Sequence, residues 1–259
     1  MIQVAIIGAG FIGPAHLEAL RRLGDVEVVA LCDSRLEAAQ RKARALNIAH
    51  AYDSVEALLA HPGLQVVHNC TPNHLHAQIN RQILAAGLHV FSEKPLCMTA
   101  EEARKLVALA ARAGVVHGVS FVYRQFAMVQ QAAAMIRHGE VGRIFAAHGS
   151  YLQDWMLLET DYNWRVDSAQ GGASRTVADI GSHWCDTVQF MTGRRIVEVM
   201  ADLSIVWPTR KAPVNGKATF SAVHEAQAYE TRPVDTEDFG SVLLRFDDGS
   251  KGSFMVSQV

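Results

Sequence analysis

The chain has 259 residues, 49% of them hydrophobic and 19% charged, which is enough apolar material for a packed core and more length than the commonest single domain. A formal charge of −2, with Lys and Arg spread along the sequence, offers no basic stripe for nucleic acid or an anionic membrane surface, so a small molecule is the expected partner. Cys32, Cys70, Cys97 and Cys185 lack any C-x-x-C pairing and read as reduced structural thiols. Met1 leads straight into a strand-like run with no leader pattern, and no stretch is long enough to span a bilayer, so a cytoplasmic protein is expected.

Over the first 120 residues, short apolar runs alternate with helical patterns. Strands are predicted at Ile2 to Ile7, Val26 to Cys32, Val66 to Cys70, His89 to Ser92 and Val115 to Ser120, with helices near 14–23, 35–46, 54–60, 75–86 and 100–113. Runs apolar on both faces and separated by helices imply a doubly wound parallel sheet, an α/β fold. Thr99 before Ala100-Glu101-Glu102 is a helix N-cap, and Gly87 and Gly114 stand where helices should stop. The pattern changes after Phe121, which puts one domain at 1–121 and a second at 122–259. A helix is predicted at 125–138 and another at 181–192, with strand-like runs at Arg143 to Leu152, Ile196 to Val206 and Ser241 to Phe246. This second half reads as an α+β domain with a mostly antiparallel sheet. Asp247-Asp248-Gly249 is a hairpin turn signal, and Pro208 to Thr236 reads as a long loop or lid.

Gly8-Ala9-Gly10-Phe11-Ile12-Gly13 follows the first strand and opens a helix. In that context Gly8 permits a tight turn, Gly10 lets backbone approach a pyrophosphate, and Gly13 lets helix and strand pack closely. Asp33 closes the second strand 20 residues after Gly13 (33 − 13), where a carboxylate accepts hydrogen bonds from an adenosine ribose and favours NAD. Ser34 and Arg35 follow at once and keep NADP open through its 2′-phosphate. Thr71-Pro72-Asn73, with His76 close behind, and Glu93-Lys94-Pro95 end two further strands and line the same crevice. Lys94, a solvated loop lysine in the plainer reading, is here a candidate proton donor or electrostatic clamp beside a nicotinamide.

Asp179, His183 and Asp186 are spaced to share one helix face within an otherwise apolar stretch, so the face is expected to look into a cleft. His183 suits a general base that takes the proton of an alcohol, with Asp179 or Asp186 setting its tautomer. Trp155, Tyr162, Asn163, Trp164 and Arg165 form an aromatic and polar cluster of the kind that holds a polyhydroxylated ring, though each alone is more often core or surface. The histidines supply no metal constellation, and no metal site is expected.

These residues resemble the glucose-fructose oxidoreductase/inositol dehydrogenase family. The pieces that carry the resemblance are the Gly8–Gly13 loop, Thr71-Pro-Asn-His-Leu-His76, Gly87 through Glu93-Lys-Pro95, Tyr123-Arg124, Gly139 through Ile144, Trp164-Arg165 and Asp179-Ile-Gly-Ser-His183. The resemblance implies a Rossmann domain followed by an α/β domain with an open sheet through which copies associate. It also implies that Lys94, Asp179 and His183 are the catalytic lysine, aspartate and histidine, that Tyr123 and Arg124 join the substrate contacts, and that a secondary alcohol of a sugar or cyclitol is oxidised with NAD or NADP. Members of the family continue beyond the point where this sequence stops, so the second domain is expected to be incomplete: the sequence stops inside an expected strand, Val256–Val259, and the absent strands and helices would leave an unpaired, partly apolar sheet edge. Two other functions fit the same fold: a non-catalytic dinucleotide sensor, and an inactive truncated remnant that binds cofactor only.

Overall fold

The computed structural model describes residues 1–214 and 228–259, which form two compact units, Met1–Ser120 and Phe121–Val259. In the first, strands β1 (Ile2–Ile7), β2 (Val26–Cys32), β3 (His50–Tyr52), β4 (Val66–Asn69), β5 (His89–Ser92) and β6 (His117–Val119) form one sheet in the order β3-β2-β1-β4-β5-β6, every pair parallel. Helices α1 (Gly13–Arg21), α2 (Leu36–Ala45), α3 (Val55–Leu59), α4 (Asn73–Ala85) and α5 (Ala100–Ala113) connect the strands. β1 shows why its run is unbroken: Ala5 and Ile7 face one core and Val4 and Ile6 the other, because helices cover both sides. The strand order reverses between β1 and β4, the place where such sheets open a crevice at their carboxyl ends.

Local chemistry sets the helix ends. The Thr99 hydroxyl accepts the Glu102 amide at 3.2 Å, and α5 stops on Gly114 at φ +65°, a left-handed conformation that glycine adopts without strain. Strand β3 escapes sequence reading because three residues, His-Ala-Tyr, at a sheet edge carry no usable period.

The second unit contains α6 (Ala127–Arg137), β7 (Ala146–Leu152), α7 (Ser168–Gly171), α8 (Ser182–Thr192), β8 (Ile196–Ser204), β9 (Thr209–Pro213), β10 (Tyr229–Pro233), β11 (Phe239–Phe246) and β12 (Lys251–Ser257). Four strands form a sheet in the order β7-β12-β11-β8, with β11 antiparallel to both neighbours and β12 parallel to β7. One face packs Val242, Leu244, Phe246, Phe254 and Val256 against Ile180, Trp184 and Val188. On the other face Met200, Leu243 and Met255 are exposed.

The helix expected at 125–138 is α6, which starts two residues later because Phe126 is extended behind a short 3₁₀ turn, Val122–Gln125. The expected loop at Pro208 to Thr236 contains the antiparallel pair β9 and β10; residues 215–227 of it lie outside the described residues. That pair was hidden because β9 alternates in burial with an arginine, Arg210, on its inward side. The residues near Val256 lie in β12, a strand as expected, which sits inside the sheet between β7 and β11, so β7 and β8 are the edges.

Candidate active site

In the first unit, the glycine loop has the geometry its sequence demands. Gly8 sits at φ +92°, and a Cβ there would lie 2.6 Å from the Cys70 carbonyl oxygen. A Cβ on Gly13 would overlap the Gly8 carbonyl oxygen, so α1 can start directly behind the turn only with glycine. A Cβ on Gly10 would meet nothing within 4 Å, so the loop's middle faces open space. Gly8 and Gly13 are thus demanded by the protein's own backbone, whereas Gly10 leaves room for a ligand to come close; the loop fits a pyrophosphate. Phe11 is largely exposed and Ile12 partly buried, leading directly into α1. The Lys42 ammonium on α2 donates to the Ala9 carbonyl and braces the loop from behind, a contact with no sequence signal.

Asp33 follows β2, and its Oδ1 accepts both the Ser34 amide at 2.7 Å and the Ser34 hydroxyl at 3.3 Å. Ser34 is thereby turned onto Asp33, while Arg35 is exposed and precedes α2 as its N-cap. Thr71 is tied inward: its hydroxyl donates to Asn69 Oδ1 at 2.7 Å, Asn69 donates to Asn80 at 2.8 Å, and Asn80 donates to Ser92 Oγ at 2.9 Å. Asn69, Asn80 and Ser92, all about 1% exposed or less, therefore lock the two strand-end segments together. Pro72 and Asn73 begin α4. His76 is 1% exposed, with ring nitrogens 2.6 Å from the Pro95 carbonyl and 2.7 Å from the Thr71 carbonyl. Burial pushes this imidazole down against the pull of both carbonyls. With both nitrogens engaged inside the protein, His76 is a strut between the segments and has no ring nitrogen to offer a ligand. Glu93 Oε2 accepts the Lys94 amide at 3.2 Å, and the Lys94–Pro95 peptide is cis.

In the second unit, Asp179 lies in a π-helical turn, Val177–Gly181, that runs directly into α8. Such turns are rare and cluster at functional positions. Asp179 Oδ2 accepts from Gln258 Nε2 at 2.9 Å, and Arg165 Nε lies 3.6 Å from Oδ1. The Arg165 guanidinium in turn sits 4.5 Å above the Trp164 ring. His183 is 7% exposed in an aromatic box: Tyr123 stacks on it at 4.4 Å and Phe121 meets it edge-on at 5.7 Å. Tyr151 stands 6.5 Å away and shares a short hydrogen bond with Tyr123. Burial, that bond and the Asp179 charge push the Tyr123 phenol up.

The expected polar face divides. Asp186 is taken by Arg124, whose Nε and Nη2 both bond its carboxylate. Tyr162 packs on Met156, Val166 and Val234, and Trp155 packs on both that cluster and the sheet core. Asn163 caps the 3₁₀ turn Trp164–Val166 through the Arg165 amide at 2.9 Å. Sequence reading missed Tyr151, Gln258 and a buried ion cluster beneath the loop. In that cluster Asp238, fully buried, binds Arg175 and Arg210, and Arg210 also donates to the Met156, Leu158 and Asp161 carbonyls. Burial would raise the Asp238 carboxyl, but the Trp207 amide and the two guanidiniums hold it below its ordinary range.

Residues 2–121 match the model of an oxidoreductase family with an NAD-binding Rossmann fold, and residues 129–259 match the GFO/IDH/MocA C-terminal domain. The chain is 31% identical over 262 residues to levoglucosan dehydrogenase of Pseudarthrobacter phenanthrenivorans, covering 97% of this chain and 66% of that protein. It is 33% identical over 196 residues to D-glucoside 3-dehydrogenase of Escherichia coli, covering 74% of this chain and 54% of that protein. A structure of levoglucosan dehydrogenase in complex with NADH and L-sorbose superposes with a TM-score of 0.89 at 29% identity, covering all of this chain and 67% of that one. The chain thus spans less than two thirds of the length of these two curated relatives. With both of its halves matched, by models of successive domains of one family, the chain belongs to the GFO/IDH/MocA oxidoreductases.

Proposed function

We propose that this chain binds NAD and carries proton-transfer residues for oxidising a secondary alcohol of a sugar, cyclitol or related polyol. The observation that carries the reading is an imidazole, His183, enclosed by aromatic rings four residues after a carboxylate, Asp179, that is itself fixed from two sides. A sensor that only binds a dinucleotide has no need of such a group. The sugar dehydrogenases among its relatives support the substrate class.

Gly8, Gly10 and Gly13 would hold the dinucleotide's pyrophosphate, Asp33 its adenosine ribose, and the Thr71–Asn73 and Glu93–Lys94 segments its nicotinamide end. Ser34 turned onto Asp33 supports NAD over NADP. When bound, the nicotinamide ring accepts the hydride. Lys94 Nζ donates a hydrogen bond to the substrate hydroxyl oxygen and stabilises its developing negative charge. The His183 imidazole takes the hydroxyl proton, and Asp179 stabilises the resulting imidazolium. Tyr123, Trp164 and Arg165 orient the ring of the polyol. Copies associate through the exposed sheet face around Met200, Leu243 and Met255, as apolar patches of this kind favour.

The test is titration with NAD and NADP, followed by a spectrophotometric screen of anhydrosugars, glucosides and cyclitols for reduced cofactor. Turnover with His183→Ala and Lys94→Ala each reduced by about a hundredfold or more is expected. Binding without turnover on any of these substrates would replace the dehydrogenase reading with that of a sensor or a cofactor-binding remnant.

A further inference from the structure

Beneath the glycine loop, three ionisable side chains form a buried chain that the proposed reaction does not use. His16, on the first turns of α1, places Nε2 3.0 Å from Glu93 Oε1 and Nδ1 2.9 Å from Nδ1 of His68 on β4. His16 is 8% exposed and the Glu93 side chain 13%. Phe91 packs on both rings, and the two imidazoles meet edge to face at 5.2 Å.

The donor and acceptor arithmetic of this chain is restrictive. Burial, aided by His16, pushes His68 down to about 4, so near neutral pH it is an uncharged ring with one N–H. Burial would also raise the Glu93 carboxyl, yet hydrogen bonds from His16 and Ser120 and the charges of His16 and Lys94 hold it below its ordinary value. An ionised Glu93 only accepts, so His16 Nε2 carries a proton in every state. One further proton lies between the two Nδ1 atoms. If it sits on His68, His16 is neutral; if His16 holds it, His68 accepts through Nδ1 and keeps its own proton on Nε2. Either arrangement keeps both hydrogen bonds, with His68 in a different tautomer in each. Glu93 Oε2 meanwhile accepts the Lys94 amide at 3.2 Å. The other titratable groups whose charge bears on Glu93 are Cys70 and His76, and burial opposes the charged form of each.

We propose that His16, backed by His68, is a positioning residue for Lys94: it keeps the buried Glu93 ionised and aimed, so that Lys94 has a permanent countercharge at the strand end. The role assigned to Lys94 rests on the dehydrogenase reading, but the chain itself does not. Without His16 Nε2, a largely buried carboxylate loses its main donor and tends to take up a proton, and the negative charge beside Lys94 is lost.

The test is read without turnover, on the full chain with and without NAD. In nitrogen-15 histidine spectra His68 is expected to stay neutral from pH 5 to 8 and Glu93→Gln to move the His16 ring resonances. Two rings that titrate independently near the ordinary histidine value, or a His16 signal blind to Glu93→Gln, would overturn the chain. The second readout is acylation of Lys94 at mildly alkaline pH, measured by mass spectrometry against Lys105 in the same molecule. His16→Phe should raise relative Lys94 labelling by about three- to tenfold, because an ammonium without its countercharge gives up a proton more readily. His16→Gln, which retains a donor, should restore most of the wild-type rate. Unchanged labelling in a folded His16→Phe protein would refute the role for Lys94. If that variant fails to fold, Glu93→Gln is read in the same assay, with the same rise expected and an unchanged rate equally fatal. Success here beside a failed substrate screen would remove the dehydrogenase reading and leave the chain standing, and the reverse result would do the opposite.

Discussion

Asp33 and Thr71 show how differently two crevice residues are prepared. Asp33 spends one carboxylate oxygen on Ser34, and its other oxygen is the one expected to meet ribose. Asp33→Ala should weaken NAD by about tenfold, as expected for a charged hydrogen bond of 1.5–3 kcal/mol partly offset by water; unchanged affinity in a calorimetric titration would take Asp33 off the ribose. Thr71 donates inward to Asn69, so its lone pairs are what remains for the crevice. Asn80→Leu should free the Thr71 and Ser92 ends of the relay and lower stability by about 1–3 kcal/mol through unsatisfied buried groups, seen as a shifted denaturation midpoint. Asp33, Thr71, Lys94 and His183 were legible because each stands at a strand or helix end with a spacing that chemistry constrains. Asn69, Asn80 and His68 were not, because a polar residue inside an apolar run looks the same whether it serves a relay or is merely tolerated.

At the scale of elements, the stretch from Met156 to Asp161, shortly before Trp164 and Arg165, is held by an ion cluster. Arg175 and Arg210 share Asp238, all three nearly inaccessible, and Arg210 gathers three carbonyls from the loop before it. Removing the carboxylate leaves two buried guanidiniums with lost partners, so Asp238→Asn should cost about 3–5 kcal/mol, measured by urea unfolding. The carboxyl of Asp238 is held below its ordinary range when folded, so its stabilisation is complete above about pH 3.8, the unfolded value, and disappears as pH falls through the folded one. The acid limb of the stability curve should therefore be shallower in Asp238→Asn than in wild type. Sequence periodicity located α5 and α8 because their apolar stripes repeat over several turns. It missed β9 because an inward residue there is an arginine whose partners lie far along the chain.

On the scale of the whole molecule, the two units present different problems to a reader of sequence. The first is a parallel sheet with both faces covered, so its strands are apolar throughout and its glycine loop is dictated by backbone clearance at Gly8 and Gly13. NAD at a hundred times its dissociation constant should stabilise this unit by about 2.7 kcal/mol, and a thermal transition indifferent to NAD would remove the cofactor assignment. The second unit has one open sheet face, and exposed Met200, Leu243 and Met255 on it should make Leu243→Glu shift light-scattering mass toward the monomer if copies associate there.

By itself the sequence determined the order and kind of the long elements, the glycine turn and the candidate catalytic positions, because these depend on short-range period, backbone clearance and residue type. Only the tertiary structure decided which carboxylate Arg124 takes, that the turn before α8 is a π turn, that His76 is a strut and that His16 meets His68 and Glu93. The Arg124, His76 and His16 outcomes are hydrogen-bond pairings, some between side chains up to 77 residues apart, and partners at such separation are chosen by packing, which no local pattern encodes.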